Sequence, residues 1–193
     1  GLRDDTVNLA RAADPLDVGG IRGRLGWQRG LDPEGLILTG GLRGEVARGD
    51  ADYQRVSARL SAGHPLFAGL DGAVEVGGGV AWGSRVPVQG EYFLGGSETL
   101  RGFNLNERLG ESFWRGRAEV GSGFPGARVV LFGDAGWVGP RGDFSTHAFD
   151  GDRILLSAGV GASLLDGLMR LDLARALQGA SRWKLHSYLD GLF

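Results

Sequence analysis

Cysteine is absent from the 193 residues, which excludes a disulfide framework and any thiolate metal site. Proline is scarce at 6 residues, and there is no collagen period and no flexible Gly/Ser tract. Neither sign of charge dominates: 21 basic and 23 acidic side chains give a formal net charge of −2. They are spread along the chain, so no basic block points to nucleic acid and no acidic tail forms a solvating arm. No run approaches the roughly 20 apolar residues a membrane helix needs. No signal-peptide pattern follows Gly1, and the expectation is a chain that begins inside a longer gene product. Hydrolase and nucleotide motifs are missing too: there is no G-x-S-x-G elbow, H-E-x-x-H or P-loop. His64, His147 and His186 fall in separate segments without metal-ligand spacing. The expectation is a non-enzymatic protein with no metal and no cofactor.

What the chain has instead is glycine, 37 residues of it, placed singly or in pairs inside alternating segments. That placement suits curved, closely approaching strands. Residues 1–18 hold charges and Pro15 without lasting alternation and read as a connecting segment. From Gly19 the period becomes two: Ile21, Leu25 and Trp27 oppose Arg22, Arg24 and Gln28. Further segments set Leu38, Leu42 and Val46 against Thr39, Arg43 and Glu45, then Val56, Ala58 and Leu60 against Arg55, Ser57 and Arg59. A fourth sets Val74, Val76 and Val80 against Glu75, Gly77 and Gly79. After an interruption, Trp114, Ala118 and Val120 oppose Arg115, Arg117 and Glu119; Val129, Leu131 and Trp137 oppose Arg128 and Asp134. The remaining three carry Leu156, Val160 and Leu164; Met169, Leu171 and Leu173 against Arg170 and Asp172; and Trp183, Leu185, Leu189 and Phe193 against Lys184, His186 and Tyr188.

Nine such segments, apolar on one side and charged or small on the other, need a membrane or a second sheet. A soluble sandwich requires an inner face dense with large hydrophobes and a merely polar outer face. Here the polar face mixes glycines with arginines and carboxylates, while all five tryptophans lie on the apolar face, mostly near segment ends. Aromatics flanking small aliphatics suit the girdles and lipid band of a transmembrane barrel. The expected fold is therefore all-β, an antiparallel transmembrane β-barrel spanning residues 19–193. Nine is an odd number and an open edge cannot face lipid. The chain thus reads as the C-terminal part of a larger barrel, or as one closed by another chain. An eight-stranded monomer is the alternative if the first segment is not a strand.

Between the fourth and fifth segments lies a loop, residues 84–111, with Phe93-Leu-Gly-Gly-Ser-Glu-Thr-Leu-Arg-Gly-Phe103 at its centre. Its glycine density suits neither strand nor helix. Arg101 offers a rigid fork of donors for carboxylates, and Gly102 allows a sharp turn beside it. Parity puts Glu119 and Asp134 on the polar face, where a loop folded into the lumen presents Arg101 to both. In a partly water-filled lumen that pair is expected to contribute about 1–3 kcal/mol.

Gly95-Gly96-Ser97-Glu98-Thr99-Leu100-Arg101-Gly102-Phe103 resembles the sixth-loop signature of the BamA/TamA superfamily of outer-membrane assembly and secretion barrels. Leu100 departs mildly from the commoner valine. Glu119 of Arg117-Ala118-Glu119 and Asp134 of Phe132-Gly133-Asp134-Ala135-Gly136 match that family's two lumen-facing carboxylates on the following strands. The resemblance implies a sixteen-stranded barrel, of which this chain holds the last nine strands, four before the loop and five after. It also implies a bacterial outer-membrane location, outer-membrane lipid around the barrel, and unfolded outer-membrane or secreted proteins as clients. N-terminal POTRA domains or another chain would complete the protein. The leading expectation is an assembly and insertion factor. A two-partner-secretion translocator, the barrel of an autotransported patatin-type phospholipase and a porin-like structural barrel are the alternatives. The final segment, with Leu185, Leu189 and Phe193 on one face, resembles the terminal assembly signal of outer-membrane barrels. Ser187 and Gly191 depart from it, and small residues there weaken the cross-strand contacts of a closing seam. That seam is the lateral gate proposed for the superfamily.

Overall fold

The alternation is realised as strands in the computed structural model, which describes residues 18–30, 35–67, 69–84, 86–122, 127–164, 169–178 and 182–189. Four strands precede the loop: β1 (Val18–Gly30), β2 (Ile37–Gly49), β3 (Tyr53–Phe67) and β4 (Leu70–Gly83). The loop itself carries a small hairpin, β5 (Tyr92–Leu94) with β6 (Arg108–Gly110). Five strands follow: β7 (Ser112–Ser122), β8 (Ala127–Gly139), β9 (Leu155–Leu164), β10 (Met169–Ala176) and β11 (Trp183–Leu189). The large sheet is antiparallel with nine strands in the order β1-β2-β3-β4-β7-β8-β9-β10-β11. It is not closed among the described residues: β1 and β11 are its two edges.

Side chains follow the expected parity, because register holds it constant from strand to strand. One row runs Leu25, Leu42, Ala58, Gly78, Trp114 and Trp137. On this outer face Ile21, Leu25, Val76, Leu131 and Leu185 are more than half exposed. An apolar surface of that extent has no place against water and forms the lipid band of a transmembrane barrel. The opposite face carries Arg22, Arg43, Arg59, Glu75, Glu119, Asp134 and Asp172, each on a strand position of the other parity.

Two features depart from the sequence reading. The loop was expected to be irregular, yet it holds the β5–β6 pairing and a 3-10 turn at Val88–Gly90. Trp114 and Trp137 face outward but do not form an open girdle. Residues 140–154 fold over them through a short helix, α1 (Phe144–His147). The Trp114 indole stacks on Phe149 at 5.6 Å and donates to the Ala148 carbonyl at 2.7 Å. Trp137 meets Phe144 edge-on at 5.8 Å and is only 3% exposed.

Candidate functional site

The loop enters the lumen because its backbone turns where only glycine turns cheaply. Gly95, Gly96 and Gly102 have φ of 122°, 97° and 88°. Thr99 then closes the first bend, its hydroxyl accepting from the Gly95 N–H at 2.8 Å and donating to the Gly95 carbonyl at 3.0 Å. The Gly96 N–H donates to the Leu100 carbonyl at 3.1 Å. A Cβ on Gly102 would stand 2.8 Å from the backbone of Arg175 and Ala176, so the loop lies directly against β10. Leu94, Leu100 and Phe103 form a buried apolar cluster with Ala176, packed on Phe113, Val138 and Leu155. Burying these side chains drives the segment inward, where its arginine meets charge.

Arg101 is fully buried. Its Nε and Nη2 donate to the two oxygens of Asp134 at 2.8 and 2.6 Å, and its own backbone N–H reaches Asp134 Oδ2 at 3.0 Å. Nη1 donates to Glu119 at 2.7 Å and to Asp172 at 3.1 Å. The guanidinium lies over the Phe132 ring, 3.4 Å from its centroid. Burial opposes the charge, but hydrogen bonding and attraction from Asp134, then Glu119, outweigh it and hold the Arg101 pKa above its ordinary value.

Around it the charges balance. Arg170 donates to Glu119 at 2.8 Å and to Asp172 at 3.0 Å, and Arg117 lies 3.4 Å from Asp134. Three guanidiniums therefore face three carboxylates, Arg101, Arg117 and Arg170 against Glu119, Asp134 and Asp172. The Tyr188 hydroxyl donates to Asp172 at 2.7 Å. This is a drier and larger cluster than the water-filled pair expected from sequence, because the loop and the Phe132 ring exclude solvent from it. The arrangement carries no nucleophile–base pair. Arg101 instead ties the loop to three strands, β7, β8 and β10.

The loop's contacts extend to the last strand. The Gly102 N–H donates to His186 Nε2 at 3.4 Å, and Lys184 donates to the Asn104 side chain. Arg115 and Arg117 of β7 hold the loop from the other side, at the carbonyls of Glu98 (2.6 Å) and Ser97 (3.0 Å).

Gly95, Gly96, Leu100, Arg101, Gly102, Phe103, Glu119 and Asp134 thus come together in one site. Leu185 does not join them: it sits on the outer face of β11, opposite Leu173. Leu189 pairs with Met169 in the backbone register. Gly191 and Phe193 lie outside the described residues. Sequence reasoning missed Phe132, Asp172, His186 and Tyr188 as partners of the loop. Arg170 and Asp172, which the alternation only places together on the polar face, both belong to the Arg101 cluster. Their polar-face parity was a signal, but parity does not say which residues a loop reaches.

The Omp85 superfamily domain model matches residues 32–185, more than half of the chain. No curated protein sequence matches it. Among solved structures, BamA from Haemophilus ducreyi lacking POTRA domains 1–3 aligns with a TM-score of 0.64 at 18% identity, over 85% of this chain and 40% of that one. CdiB from Acinetobacter baumannii aligns with a TM-score of 0.62 at 19% identity, over 89% of this chain and 34% of that one. The chain spans less than half the length of either. Its nine-stranded sheet, its inward-folded loop and the match of the domain model over residues 32–185 together place it in a family: the chain belongs to the Omp85 superfamily.

Proposed function

We propose that this protein is an outer-membrane barrel that inserts or translocates other proteins, and within that class an assembly factor of the BamA/TamA type. The observation that carries the proposal is the loop's joint hold on the lumenal wall and on the edge strand. Arg101 fixes the loop to β7, β8 and β10, while Gly102 and Asn104 meet His186 and Lys184 on β11. A plain pore has no need of a fully buried cation to hold a loop. An edge strand has unpaired backbone groups that an incoming client strand can satisfy. A loop bonded to that strand keeps its position defined while the edge exchanges partners. The protein's clients in this reading are unfolded outer-membrane proteins, with POTRA domains upstream to receive them.

The runner-up is a two-partner-secretion translocator, which the alignment with CdiB favours almost as well as that with BamA. Liposomes carrying the full-length protein separate the two. An assembly factor accelerates folding of an unfolded barrel client into the same bilayer, whereas a translocator passes a soluble exoprotein to the far side. A cysteine pair locking Ser187 to the first strand of the complete barrel should stop client folding, and reduction should restore it. The chain has no cysteine to interfere. Full client folding in the locked protein would overturn the seam-opening reading.

A further inference from the structure

On the outer face, the cover over Trp114 and Trp137 makes a hollow that the strands alone would not. Ala58 of β3 and Gly78 of β4 stand side by side in the row between Leu42 and Trp114. Two residues nearer the strand ends that carry the 84–111 loop, Val56 pairs with Val80. These short side chains lie beside the Trp114 indole and below Phe144, and the space left is about 520 Å³, with Arg141 on its rim. That volume is within the roughly 300–1,000 Å³ of small-ligand clefts. Trp114 does not swing across to fill it, because the Ala148 carbonyl and the Phe149 ring hold the indole. Strands that complete the barrel join at β1 or β11, away from β3, β4 and β7, and extend the same face.

We propose that this hollow seats one acyl chain of an anionic lipid, with the lipid's phosphate on Arg141. The occupant is a lipid because the hollow is continuous with the lipid band: next along the same strands come Leu60 and Val76, cross-strand partners that are 45% and 56% exposed. Walls of valine, alanine and aromatic rings offer water too few polar partners to hold it there. The charge of the headgroup follows from the rim. Arg141 opens an exposed turn, and its backbone N–H donates to Glu111 at 3.2 Å, which ties the cover to the start of β7. Other charges of the cover bind one another: Arg153 lies 3.5 Å from Asp143, and His147 meets Asp150 at 2.7 Å. A guanidinium presents paired, planar donors that match phosphate oxygens. Long connections of outer-membrane barrels face outward, so the lipid comes from the leaflet on the side of the 84–111 and 140–154 segments. The site rests on the transmembrane fold and not on the assembly reading.

Native mass spectrometry of the full-length protein, released from nanodiscs of equal phosphatidylglycerol and phosphatidylcholine, counts the lipids it retains. The parent should keep one phosphatidylglycerol, preferred about tenfold over phosphatidylcholine. Ala58→Phe fills the hollow with a ring that still suits the lipid face, and retention of either lipid should fall about tenfold. Arg141→Gln, at an exposed position of the cover, should keep a retained lipid and lose the preference between headgroups. Heat-modifiable migration checks that both variants fold. Quenching of tryptophan emission by brominated-chain lipids gives a second reading in the bilayer, since Trp114 forms one wall of the hollow. Brominated phosphatidylglycerol should quench the parent more than brominated phosphatidylcholine does, and the difference should vanish in Arg141→Gln. This comparison needs no change on β3 and decides the matter if Ala58→Phe does not fold. Equal retention and equal quenching by the two lipids in the parent, or unchanged retention in a folded Ala58→Phe, would mean that only ordinary surrounding lipid covers this face, and overturns the proposal.

Discussion

Replacing Arg101 by alanine removes a fully buried cation from a cluster in which three guanidiniums face three carboxylates. After the change Asp134 keeps only Arg117, at 3.4 Å, while Glu119 and Asp172 share Arg170. The cluster becomes net negative in a solvent-poor site, a loss of one partner that costs about 3–5 kcal/mol. Part of the Phe132 contact goes with it. The cost falls on the loop's docked state, so the open population should rise roughly a hundred- to several-thousand-fold. Amide hydrogen exchange in the full-length protein reads this directly. The N–H groups of Gly96, Thr99, Arg101 and Asn106 are bonded in the docked loop and should exchange faster by that factor. Amides in the middle of β3, far along the sheet, should not change. Lysine keeps the charge and loses the fork, so Arg101→Lys should cost less, about 1.5–3 kcal/mol. Unchanged protection of the loop in the alanine variant would refute the locking argument.

Other substitutions probe separate links. Asp172→Asn keeps the shape but removes one of three acids, and loop exchange should rise about tenfold or more, a weaker effect than Arg101→Ala. Gly102→Ala forces a side chain into the φ of 88° and against the β10 backbone. It should cost about 1–3 kcal/mol and detach the loop while leaving every charge in place, again read by exchange. Leu131→Arg or Val160→Arg, cross-strand neighbours on the lipid face, should each cost about 2–4 kcal/mol and block membrane insertion. Ser61→Arg, on the lumenal face of β3, should insert normally; equal failure at both faces would show that the faces are misassigned. Phe144→Ala should expose Trp137 and red-shift the tryptophan emission, and an unchanged spectrum would count against the cover over the outer face.

Period-two alternation was sufficient to place the nine strands, to divide each into lipid and lumenal faces, and to put Glu119 and Asp134 in the lumen. Facing is a local property: successive side chains of a strand point to opposite sides, and antiparallel pairing carries that parity across the sheet. The glycines at positions 95, 96 and 102 likewise announced their bends, because positive φ is a constraint on single residues. What the alternation did not hold is distance across the lumen. Arg101 meets Asp172, and the loop meets Lys184 and His186, more than 70 residues further along the chain. That convergence depends on register and curvature accumulated through five strands, together with the burial of Leu94, Leu100 and Phe103 that sets how deep the loop goes. The same holds on the outside. The parity of Trp137 was legible, but its burial came from Phe144, in a polar segment with no period of its own. Sequence by itself determined which way each side chain faces; the tertiary structure alone decided which of them meet, because contact is the sum of many small registrations that no single segment records.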